Sequence, residues 1–442
     1  MSAALRGLVI AAPASGHGKT TVTLALLRAL ADRGLRVAPV KIGPDYVDPT
    51  FHARAARRDS LNLDPWAMRP ATRAALIAGL AQEAELVIAE GVMGLFDGVD
   101  AIGGASTASL AVELGWPVVL VVDARGMAAS IAPLVAGFLH HRADLRIAGV
   151  ILNRVGGPGH GEILRAALAD HLPHLPVLGM LVRDDAIALP SRHLGLVPAG
   201  EIAAAERMIA HAADLVRDSV TLDALVALAA PTQIAAAPSD APPLLAPLGQ
   251  RIAIARDAAF LFAYPAQLSA WRRAGAALEF FSPLADEAPA ATADAIFLPG
   301  GYPELHAGTL AAARRFADGM NKAAASSTTI YGECGGYMTL GTGLVDAHGA
   351  RHAMLDLLPL ETSFAARRLH LGYRDVTLCA AGALGAGGAA FGGHEFHYAT
   401  ILAEGEGERL FDARAVDGRG LGEIGRRRGS VAGSFVHLVD RR

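Results

Sequence analysis

Cysteine and lysine are both scarce in this chain, and each scarcity narrows its possible functions. Among 442 residues only Cys334 and Cys379 are cysteines. Two cysteines so far apart cannot build a disulfide framework, which favours a reducing compartment such as the cytoplasm. Lysine occurs only at Lys19, Lys41 and Lys322. With a net charge of −4 and no long Lys/Arg block, nucleic acid is not expected as the main partner.

Long apolar segments are missing as well. The longest apolar stretch, Gly126–Leu139, contains Ser130 and Pro133 and is shorter than the roughly 20 residues that a membrane-spanning helix needs. The N-terminus lacks a basic stretch followed by an apolar segment and a cleavage site, the pattern of a secretion signal. We therefore expect a soluble, cytoplasmic protein with no membrane partner.

What the chain does contain is an alternation of short apolar runs with longer Ala/Leu-rich helical patterns. This alternation is typical of parallel sheets covered by helices and predicts an α/β fold. An Ala/Pro-rich stretch without periodicity interrupts it and is interpreted as a linker. We predict an ATP-binding synthetase domain over residues 1–229, a linker over 230–249, and a second domain over 250–442.

The segment Pro13–Thr21 lies between a predicted strand and a predicted helix and has the features of a phosphate-binding loop. Such a loop needs small residues whose backbone N–H groups face phosphate oxygens, a lysine, and a hydroxyl for Mg²⁺. Pro13 replaces the usual first glycine. Asn153, at the end of another strand, is interpreted either as an adenine-reading amide or as a helix cap. The predicted ATP-binding residues are Ser15, Gly16, His17, Gly18, Lys19, Thr20, Thr21 and Asn153.

Two acidic residues are expected beside this loop. Asp45 and Glu90 each follow the carboxyl end of a predicted strand, which is where open α/β sheets bind ligands. With the Thr20 hydroxyl they form the small oxygen set that Mg²⁺ takes when it is bound to phosphates. The alternative is that both are surface carboxylates in loops. We predict Thr20, Asp45 and Glu90 as metal ligands, with Mg²⁺ and ATP bound together.

The second half contains a different chemical motif, around Cys334. The segment Thr328–Met338 predicts a strand, a sharp turn and a helix, which is the nucleophile-elbow arrangement. The following helix N-terminus is expected to favour the thiolate. His437 is the predicted base, and Cys379 is interpreted as a structural residue. Backbone N–H groups at glycines are expected to form an oxyanion hole, namely those of Gly300, Gly301 and Gly335.

The segment His394–His397 superficially resembles a zinc motif. Its two histidines are one residue too close for the helical form, and no other Cys/His cluster supports zinc. We therefore expect no zinc site there.

Taken in order, these motifs resemble the cobyrinic or hydrogenobyrinic acid a,c-diamide synthases. The resemblance rests on the phosphate loop, the segments Lys41–Pro49, Glu90–Gly98 and Leu298–Glu304, and the elbow around Cys334. It implies a first domain like dethiobiotin synthetase and a second of the class I glutamine amidotransferase type. It also implies ATP- and glutamine-dependent amidation of the c and then the a acetate group of a corrinoid.

The resemblance further implies residue roles. Lys41, Tyr46, Asp48 and Asp97 are expected to face the corrinoid carboxylate. Amidotransferases of this class usually have an acidic residue two positions after the histidine, but Val439 stands there. What orients His437 is therefore open. The oligomeric state is also open, with a homodimer as one candidate.

Three alternatives remain at this point. Nickel-sirohydrochlorin a,c-diamide synthases and cobyric acid synthases are related enzymes, although the latter have an Asn-rich stretch in place of Lys41–Tyr46. A non-enzymatic nucleotide switch is an alternative of another class. It would need neither Cys334 nor His437, and such switches have a second lysine at the position of Ala14.

Overall fold

The computed structural model describes residues 5–187, 199–234 and 244–442. The chain divides into two compact units. Unit 1 comprises Met1–Trp66 and Arg73–Ala241, and unit 2 comprises Ala67–Thr72 and Pro242–Arg442. Residues 235–243 of the predicted linker lie outside the described residues, so the predicted boundaries stay a prediction. The sequence patterns contained no indication that a short piece of the first half belongs to unit 2.

Unit 1 is built on one sheet, and its strands are almost continuously buried because helices cover a parallel sheet on both faces. The strands are β1 (Arg6–Ala11), β2 (Val37–Ile42), β3 (Leu61–Leu63), β4 (Leu86–Glu90), β5 (Val118–Asp123), β6 (Ile147–Val155), β7 (Val177–Val182) and β8 (Ala230–Pro231). Their order is β3-β2-β4-β1-β5-β6-β7, all parallel, and β8 pairs antiparallel with β1.

The helices of this half alternate with those strands. They are α1 (Lys19–Asp32), α2 (Asp48–Ala56), α3 (Pro70–Glu83), α4 (Thr107–Leu114), α5 (Ile131–His141), α6 (Pro158–His171), α7 (Ala199–Ser219) and α8 (Leu222–Leu228). The ends of α4 illustrate local control by sequence. The Ser106 hydroxyl accepts a hydrogen bond from the Ser109 N–H at its start, and Gly115, at φ 67°, ends it in the left-handed conformation.

Unit 2 has a larger, mixed sheet and a small second sheet. Its strands are β9 (Arg251–Ala255), β10 (Ala277–Phe281), β11 (Ala295–Leu298), β12 (Thr329–Glu333), β13 (Gly343–Val345), β14 (Arg351–Ala353), β15 (Leu360–Ser363), β16 (His370–Leu378), β17 (Ala390–His397), β18 (Thr400–Glu404), β19 (Glu408–Arg414), β20 (Gly420–Arg428), β21 (Val431–Ser434) and β22 (Val436–Arg441). The large sheet has the order β10-β9-β11-β12-β21-β20-β19-β16-β17-β22, and the small one β14-β13-β15-β18.

Pairing in the large sheet is parallel from β10 to β21 and antiparallel from there to β22. The helices are α9 (Pro265–Arg273), α10 (Ala307–Ala312), α11 (Arg314–Ala325) and α12 (Gly335–Leu340). The predicted α/β class is therefore confirmed for both units. Among the described residues, no helix combines the length and the apolar character needed to cross a membrane.

The segment Ala67–Thr72, which belongs to unit 2, is held there by an ion pair between Arg69 and Asp440. The Arg69 guanidinium donates two hydrogen bonds to the buried Asp440 carboxylate, from Nη2 at 2.7 Å and from Nε at 3.0 Å. The Arg69 backbone N–H adds a third at 2.9 Å. A bidentate arginine–carboxylate pair is among the stronger polar contacts in proteins. Both oxygens of Asp440 are therefore engaged by Arg69, and the Arg441 N–H donates to Oδ1 as well.

Two candidate catalytic centres

The phosphate loop predicted at Pro13–Thr21 connects β1 to α1. Gly16 and Gly18 have φ values of 87° and 83°, a conformation that side chains rarely adopt. A Cβ atom on Gly18 would also lie 2.1 Å from Nδ2 of Asn153. Both glycines are thus required by the backbone path, which leads directly into the N-terminus of α1.

Two side chains from β6 donate hydrogen bonds to backbone carbonyl oxygens of this loop. Asn153 donates from Nδ2 to the His17 carbonyl oxygen at 2.9 Å, and Arg154 donates from Nη1 to the Gly16 carbonyl oxygen at 2.6 Å. Arg154 also pairs with Asp123 at 2.6 Å. Arg154 was not among the predicted site residues. It stands directly after Asn153 at the end of β6, at the edge of the sheet where ligands bind.

A cavity of about 620 Å³ opens above this loop. That size is within the range of small-molecule sites. The predicted residues that line it are Ser15, Gly16, Gly18, Lys19, Thr20, Thr21, Lys41, Asp45, Asp48 and Asn153. Arg125 and Arg154 line it too and add positive charge. The structure thus brings most of the predicted nucleotide, metal and substrate residues of unit 1 to one cavity.

Glu90 is the centre of a buried network beside the loop. Its Oε1 accepts hydrogen bonds from Thr20 Oγ1 at 2.7 Å and Lys41 Nζ at 3.0 Å, and Lys19 Nζ lies 3.4 Å away. Its Oε2 lies 2.5 Å from His52 Nε2. Four side chains from three elements therefore converge on one carboxylate with zero exposure.

The charges in this network stabilise one another. Burial would raise the pKa of Glu90, but Lys41, Lys19 and His52 outweigh burial and hold the pKa well below its usual value. Burial would likewise lower the pKa of Lys41, but Asp48 and Glu90 raise it above the ordinary lysine value. Burial and the neighbouring Lys41 lower the pKa of Lys19. Glu90 and Lys41 are thus fixed as an ion pair.

Lys41 uses all three of its donors within the protein. They go to Asp48 at 2.7 Å, Glu90 at 3.0 Å and the Gly91 carbonyl oxygen at 3.2 Å. An ammonium group has three donors. In this structure Lys41 therefore positions Asp48 and Glu90.

The other predicted residues of unit 1 have clear places. The Asp45 carboxylate accepts hydrogen bonds from the backbone N–H groups of Val47 at 2.8 Å and Asp48 at 3.3 Å, so it also fixes the turn into α2. Tyr46 is buried, and Asp97 is exposed and accepts from the Gly94 N–H at 2.7 Å. Neither Tyr46 nor Asp97 is among the described residues that line the cavity.

His52 was missed from the sequence although a local signal exists. It lies four residues after Asp48 on α2, and positions i and i+4 share a face of a helix. That face carries both Asp48 and His52 toward Glu90, since Lys41 bridges Asp48 to Glu90. Applying helix periodicity to the segment after Asp48 would have identified it.

In unit 2, Cys334 stands on a strained turn between β12 and α12. Its φ and ψ are 48° and −104°, an unusual conformation for a residue with a side chain and one that costs about 1–3 kcal/mol. A Cβ atom on Gly336 would lie 2.0 Å from the Leu298 carbonyl oxygen. The strain and the close approach together are those of a nucleophile elbow.

His437, on β22, lies beside this elbow. A Cβ atom added to Gly300 would be 2.3 Å from His437 Cε1, 3.0 Å from its Nε2 and 3.3 Å from Cys334 Cβ. One added to Gly335 would be 2.9 Å from the Gly301 nitrogen. The three predicted oxyanion glycines, the cysteine and the histidine are thus brought together, and no larger residue fits at Gly300.

The ionisable groups here are shifted toward their neutral forms. Burial raises the pKa of the Cys334 thiol, and Glu304 adds to the effect. Burial lowers the pKa of His437 to about 3. The expectation that the helix N-terminus favours the thiolate does not describe this resting site, because α12 has only six residues and burial outweighs its effect. A base is therefore needed to form the thiolate.

The segment that resembled a zinc motif lies on β17. Glu395 there pairs with Arg374 at 2.7 Å and with His397 Nε2 at 2.9 Å, and the ring of His370 stacks on that of His397. His370, Glu395 and His397 are close enough for metal ligands. The Glu395 carboxylate, however, is already engaged by Arg374 and His397. Its pKa is lowered to about 2, since His397 and Arg374 outweigh burial.

Two family models match this chain. A CobQ/CobB/MinD/ParA nucleotide binding domain matches residues 8–197, and a CobB/CobQ-like glutamine amidotransferase domain matches residues 251–441. The first covers the phosphate loop and the Glu90 network. The second covers the elbow cysteine and its facing histidine.

The chain is also similar, over nearly its whole length, to curated proteins named hydrogenobyrinate a,c-diamide synthase. It is 53 % identical over 442 residues to the one from Sinorhizobium sp, with 99 % of each chain covered. It is 55 % identical over 449 residues to the one from Brucella suis biovar 1, again with 99 % of each. The identity to the one from Rhodobacter capsulatus is 52 % over 446 residues, covering 99 % of this chain and 100 % of that one.

Proposed function

This chain belongs to the hydrogenobyrinate a,c-diamide synthase family, and from that premise we propose that it amidates the c and then the a acetate group of hydrogenobyrinic acid in cobalamin biosynthesis. ATP activates each carboxylate and glutamine supplies the nitrogen. The observation that carries the proposal is the pairing of two centres in one chain. The Glu90 network beside a phosphate loop serves activation, and Cys334 with His437 serves ammonia release.

The phosphate-loop centre supplies the activation. A carboxylate does not accept ammonia because its oxygen is too poor a leaving group. Transfer of the γ-phosphoryl group of ATP to the carboxylate makes an acyl phosphate, which does react. Lys19 and the backbone N–H groups of the loop offset the charge on the transferred group. Arg125 and Arg154, at the edge of the same cavity, attract the polyanionic nucleotide.

Thr20 and Asp45 line the cavity, and we propose that they hold Mg²⁺ together with Glu90, whose Oε1 already accepts hydrogen bonds from Thr20 and Lys41. Thr20, Asp45 and Glu90 offer one hydroxyl and two carboxylates, all hard oxygen donors, and the lowered pKa keeps Glu90 ionised. When bound, the ion would neutralise charge on the phosphate oxygens. His52 and Lys41 hold the Glu90 carboxylate in place, and Lys41 also holds Asp48.

The second centre releases ammonia. His437 takes the proton of Cys334, the thiolate attacks the side-chain amide of glutamine, and ammonia leaves as a thioester forms. Water then hydrolyses the thioester to glutamate. The backbone N–H groups of Gly300, Gly301 and Gly335 are the proposed donors to the developing oxyanion, and that of Gly335 hydrogen-bonds to Cys334 in the resting site.

Tyr46, Asp48 and Asp97 remain our candidates for contact with the corrinoid. Asp48 lines the cavity, whereas Asp97 lies on the loop after β4. Because unit 1 has one phosphate loop and one Glu90 network, we propose that a single centre performs both amidations. A monoamide is then expected as an intermediate.

A substrate panel tests the proposed function. Hydrogenobyrinic acid, cobyrinic acid and nickel-sirohydrochlorin are each supplied with ATP and glutamine, and products are followed by mass spectrometry. We expect diamide formation with hydrogenobyrinic acid, with a transient monoamide, and glutamate release in step with it. Amidation of nickel-sirohydrochlorin alone would replace the substrate assignment, and the absence of glutamate release would refute an amidotransferase.

We also propose that the reaction takes place in the cytoplasm, in agreement with two cysteines that form no disulfide, the buried Cys334 and the exposed Cys379. A homodimer is the assembly proposed from the resemblance. Light scattering of the active preparation measures it.

A further inference from the structure

The carboxylate that usually orients the histidine in such a site is missing from its expected place. Val439, two residues after His437, is buried and apolar. The next residue, Asp440, is held in three hydrogen bonds by Arg69. Glu395, on the neighbouring strand, is engaged by Arg374 and His397. Val439 thus has no carboxylate to offer, and the carboxylates of Asp440 and Glu395 are held by other side chains.

Glu333 does face it. This residue ends β12 immediately before the nucleophile, and its side chain is buried. Its Oε2 lies 3.8 Å from Nδ1 of His437. Its Oε1 accepts a hydrogen bond from the backbone N–H of Leu438 at 3.1 Å. The carboxyl group is therefore fixed to the strand that carries the histidine, on the Nδ1 side of the ring.

The opposite edge of the ring faces the nucleophile. The atoms nearest to a Cβ placed on Gly300 are Cε1 and Nε2 of His437 and then Cβ of Cys334. The Nε2 edge and the cysteine thus share one small space. The imidazole lies between Glu333 at Nδ1 and Cys334 at Nε2, in the order of a catalytic triad.

We propose that Glu333 is the positioning residue for His437, accepting the Nδ1–H and thereby directing the Nε2 lone pair at Cys334. This inference rests on the proposed glutaminase activity. A separation of 3.8 Å is ion-pair range and longer than a hydrogen bond, and catalytic hydrogen bonds often tighten only when substrate is bound. The acid thus stands one residue before the nucleophile instead of two residues after the base.

The proton steps balance with this arrangement. The Cys334 thiol proton moves to Nε2, and the resulting imidazolium is stabilised by Glu333 at Nδ1. The thiolate forms a bond to the amide carbon of glutamine, and Nε2 returns the proton to the leaving nitrogen as the C–N bond breaks. In hydrolysis Nε2 takes a proton from water and returns it to the sulfur as the thioester bond breaks.

The surroundings predict a pH signature. Burial raises the pKa of Glu333 to about 8, against hydrogen bonding from Leu438 and Tyr331, which lowers it. The charged or titratable groups that face His437 are Cys334, Glu333, His394, His397 and Glu395. Below about pH 8 the carboxyl group is protonated, so it stabilises an imidazolium less. The advantage of glutamate over glutamine at this position should therefore grow as the pH rises.

The test compares Glu333→Gln, Glu333→Asp and the control Glu361→Gln in the full-length enzyme. Glu361 is a partly exposed residue of unit 2 that pairs with Arg351. Glutamate release is measured against glutamine concentration from pH 6 to pH 9.5, with ATP and hydrogenobyrinic acid present. We expect Glu333→Gln to lower kcat by about 100-fold or more at pH 9 with KM within about threefold. The deficit should shrink toward pH 6, and Glu333→Asp should retain part of the activity.

The outcomes are decisive in either direction. A Glu333→Gln enzyme within about threefold of wild type at pH 9, or a deficit that is the same at every pH, would overturn the inference. If that variant does not fold, Glu333→Asp decides. The shorter aspartate moves the carboxylate away from His437, so an unchanged kcat would equally refute a positioning role. If the wild type itself releases no glutamate, the proposed function fails instead, so the two failures are distinguishable.

Discussion

The two centres of this chain handle charge in opposite ways. Around Glu90 in unit 1, a buried carboxylate and Lys41 are held ionised by one another. Around Cys334 in unit 2, burial shifts the thiol, Glu333 and His437 toward their neutral forms. Both sites are buried, so burial alone does not decide the charge. What differs is whether opposite charges lie within hydrogen-bonding distance.

The difference matches the chemistry that each centre is proposed to perform. Phosphoryl transfer involves a polyanion throughout, so fixed charges are useful before the substrate arrives. Glutamine is neutral at its reacting amide, and charge appears only when a proton moves from Cys334 to His437. A neutral resting site avoids isolated buried charges, which are costly.

Replacing the nucleophile is expected to separate the two centres most strongly. Cys334→Ala should abolish glutamine-driven amidation, because no thioester forms without the thiol. Amidation driven by an added ammonium salt should continue at a rate comparable to that of the wild type. Mass spectrometry of the corrinoid with each nitrogen source measures both. Cys379→Ser, which alters an exposed thiol, serves as the control and should leave both reactions unchanged. Loss of the ammonia-driven reaction in a folded variant would show that the centres are not independent.

Variants at the Glu90 centre, in contrast, should lose amidation with both nitrogen sources, because ammonia cannot replace carboxylate activation. Glu90→Gln and Asp45→Asn are each expected to reduce amidation by about 100-fold or more with either nitrogen source, because both proposed Mg²⁺ ligands serve activation. Glu85→Gln is the matched control, since Glu85 lies on the surface and pairs loosely with Arg36 at 3.8 Å. Near-normal ammonia-driven rates in both site variants would contradict the metal assignment.

His52 tests whether the Glu90 network is preorganised. His52→Ala removes the contact to Glu90 Oε2, and residues behind metal ligands typically contribute 10–100-fold in affinity or activity. We expect the Mg²⁺ concentration for half-maximal ammonia-driven amidation to rise about tenfold. His52→Gln, which keeps a donor, should restore part of it, and the exposed His140→Ala should have no effect. An unchanged Mg²⁺ dependence in His52→Ala would mean that Glu90 needs no such support.

The smallest expected effect concerns stability and pH. Glu333 has a folded pKa of about 8, above its unfolded value of about 4.3, so its stabilising contribution is present at low pH and is lost as the pH rises toward 8. Glu90 has a lowered folded pKa, so its contribution is present above about pH 4.3 and is lost below it. Melting temperatures of wild type, Glu333→Gln and Glu90→Gln are compared from about pH 2.5 to about pH 8.5, a range that extends below the unfolded pKa of a glutamate.

The two differences should move in opposite directions. Relative to wild type, Glu333→Gln should gain in melting temperature as the pH rises toward 8, while the loss in Glu90→Gln should shrink only as the pH falls below about 4.3. If the melting-temperature differences of both variants changed in the same direction with pH, the two centres would not handle charge in opposite ways. The reduced activity at each site plays no part in this measurement, so it is independent of the kinetic tests.

The predictable parts of both sites are those encoded in consecutive residues. A phosphate loop depends on small residues and a lysine within nine positions, and an elbow on a cysteine flanked by glycines, so both were predicted from the sequence. The α/β class followed from periodicity and is confirmed. The assigned roles of Asp45, Tyr46 and Asp97 stay predictions, although the structure places Asp45 in the cavity and fixes Asp97 to the Gly94 N–H.

Other relations depended on tertiary structure because they join residues far apart in sequence. That Lys41 donates to Glu90 follows from the pairing of β2 with β4, which sets the two residues side by side. That Arg69 engages Asp440 follows from where a short segment of the first half packs.

The sequence by itself determined which chemical groups this protein has and the local backbone that presents them, since turn and loop geometry depends on neighbouring residues. Only the tertiary structure decided which carboxylate faces His437. That choice depends on how β12 and β22 meet, and no local pattern records a contact between residues 104 positions apart. The physical reason is that the chemistry of a side chain belongs to the residue itself. Which strands lie side by side, and how far a pKa is shifted, depend on the packed sheet.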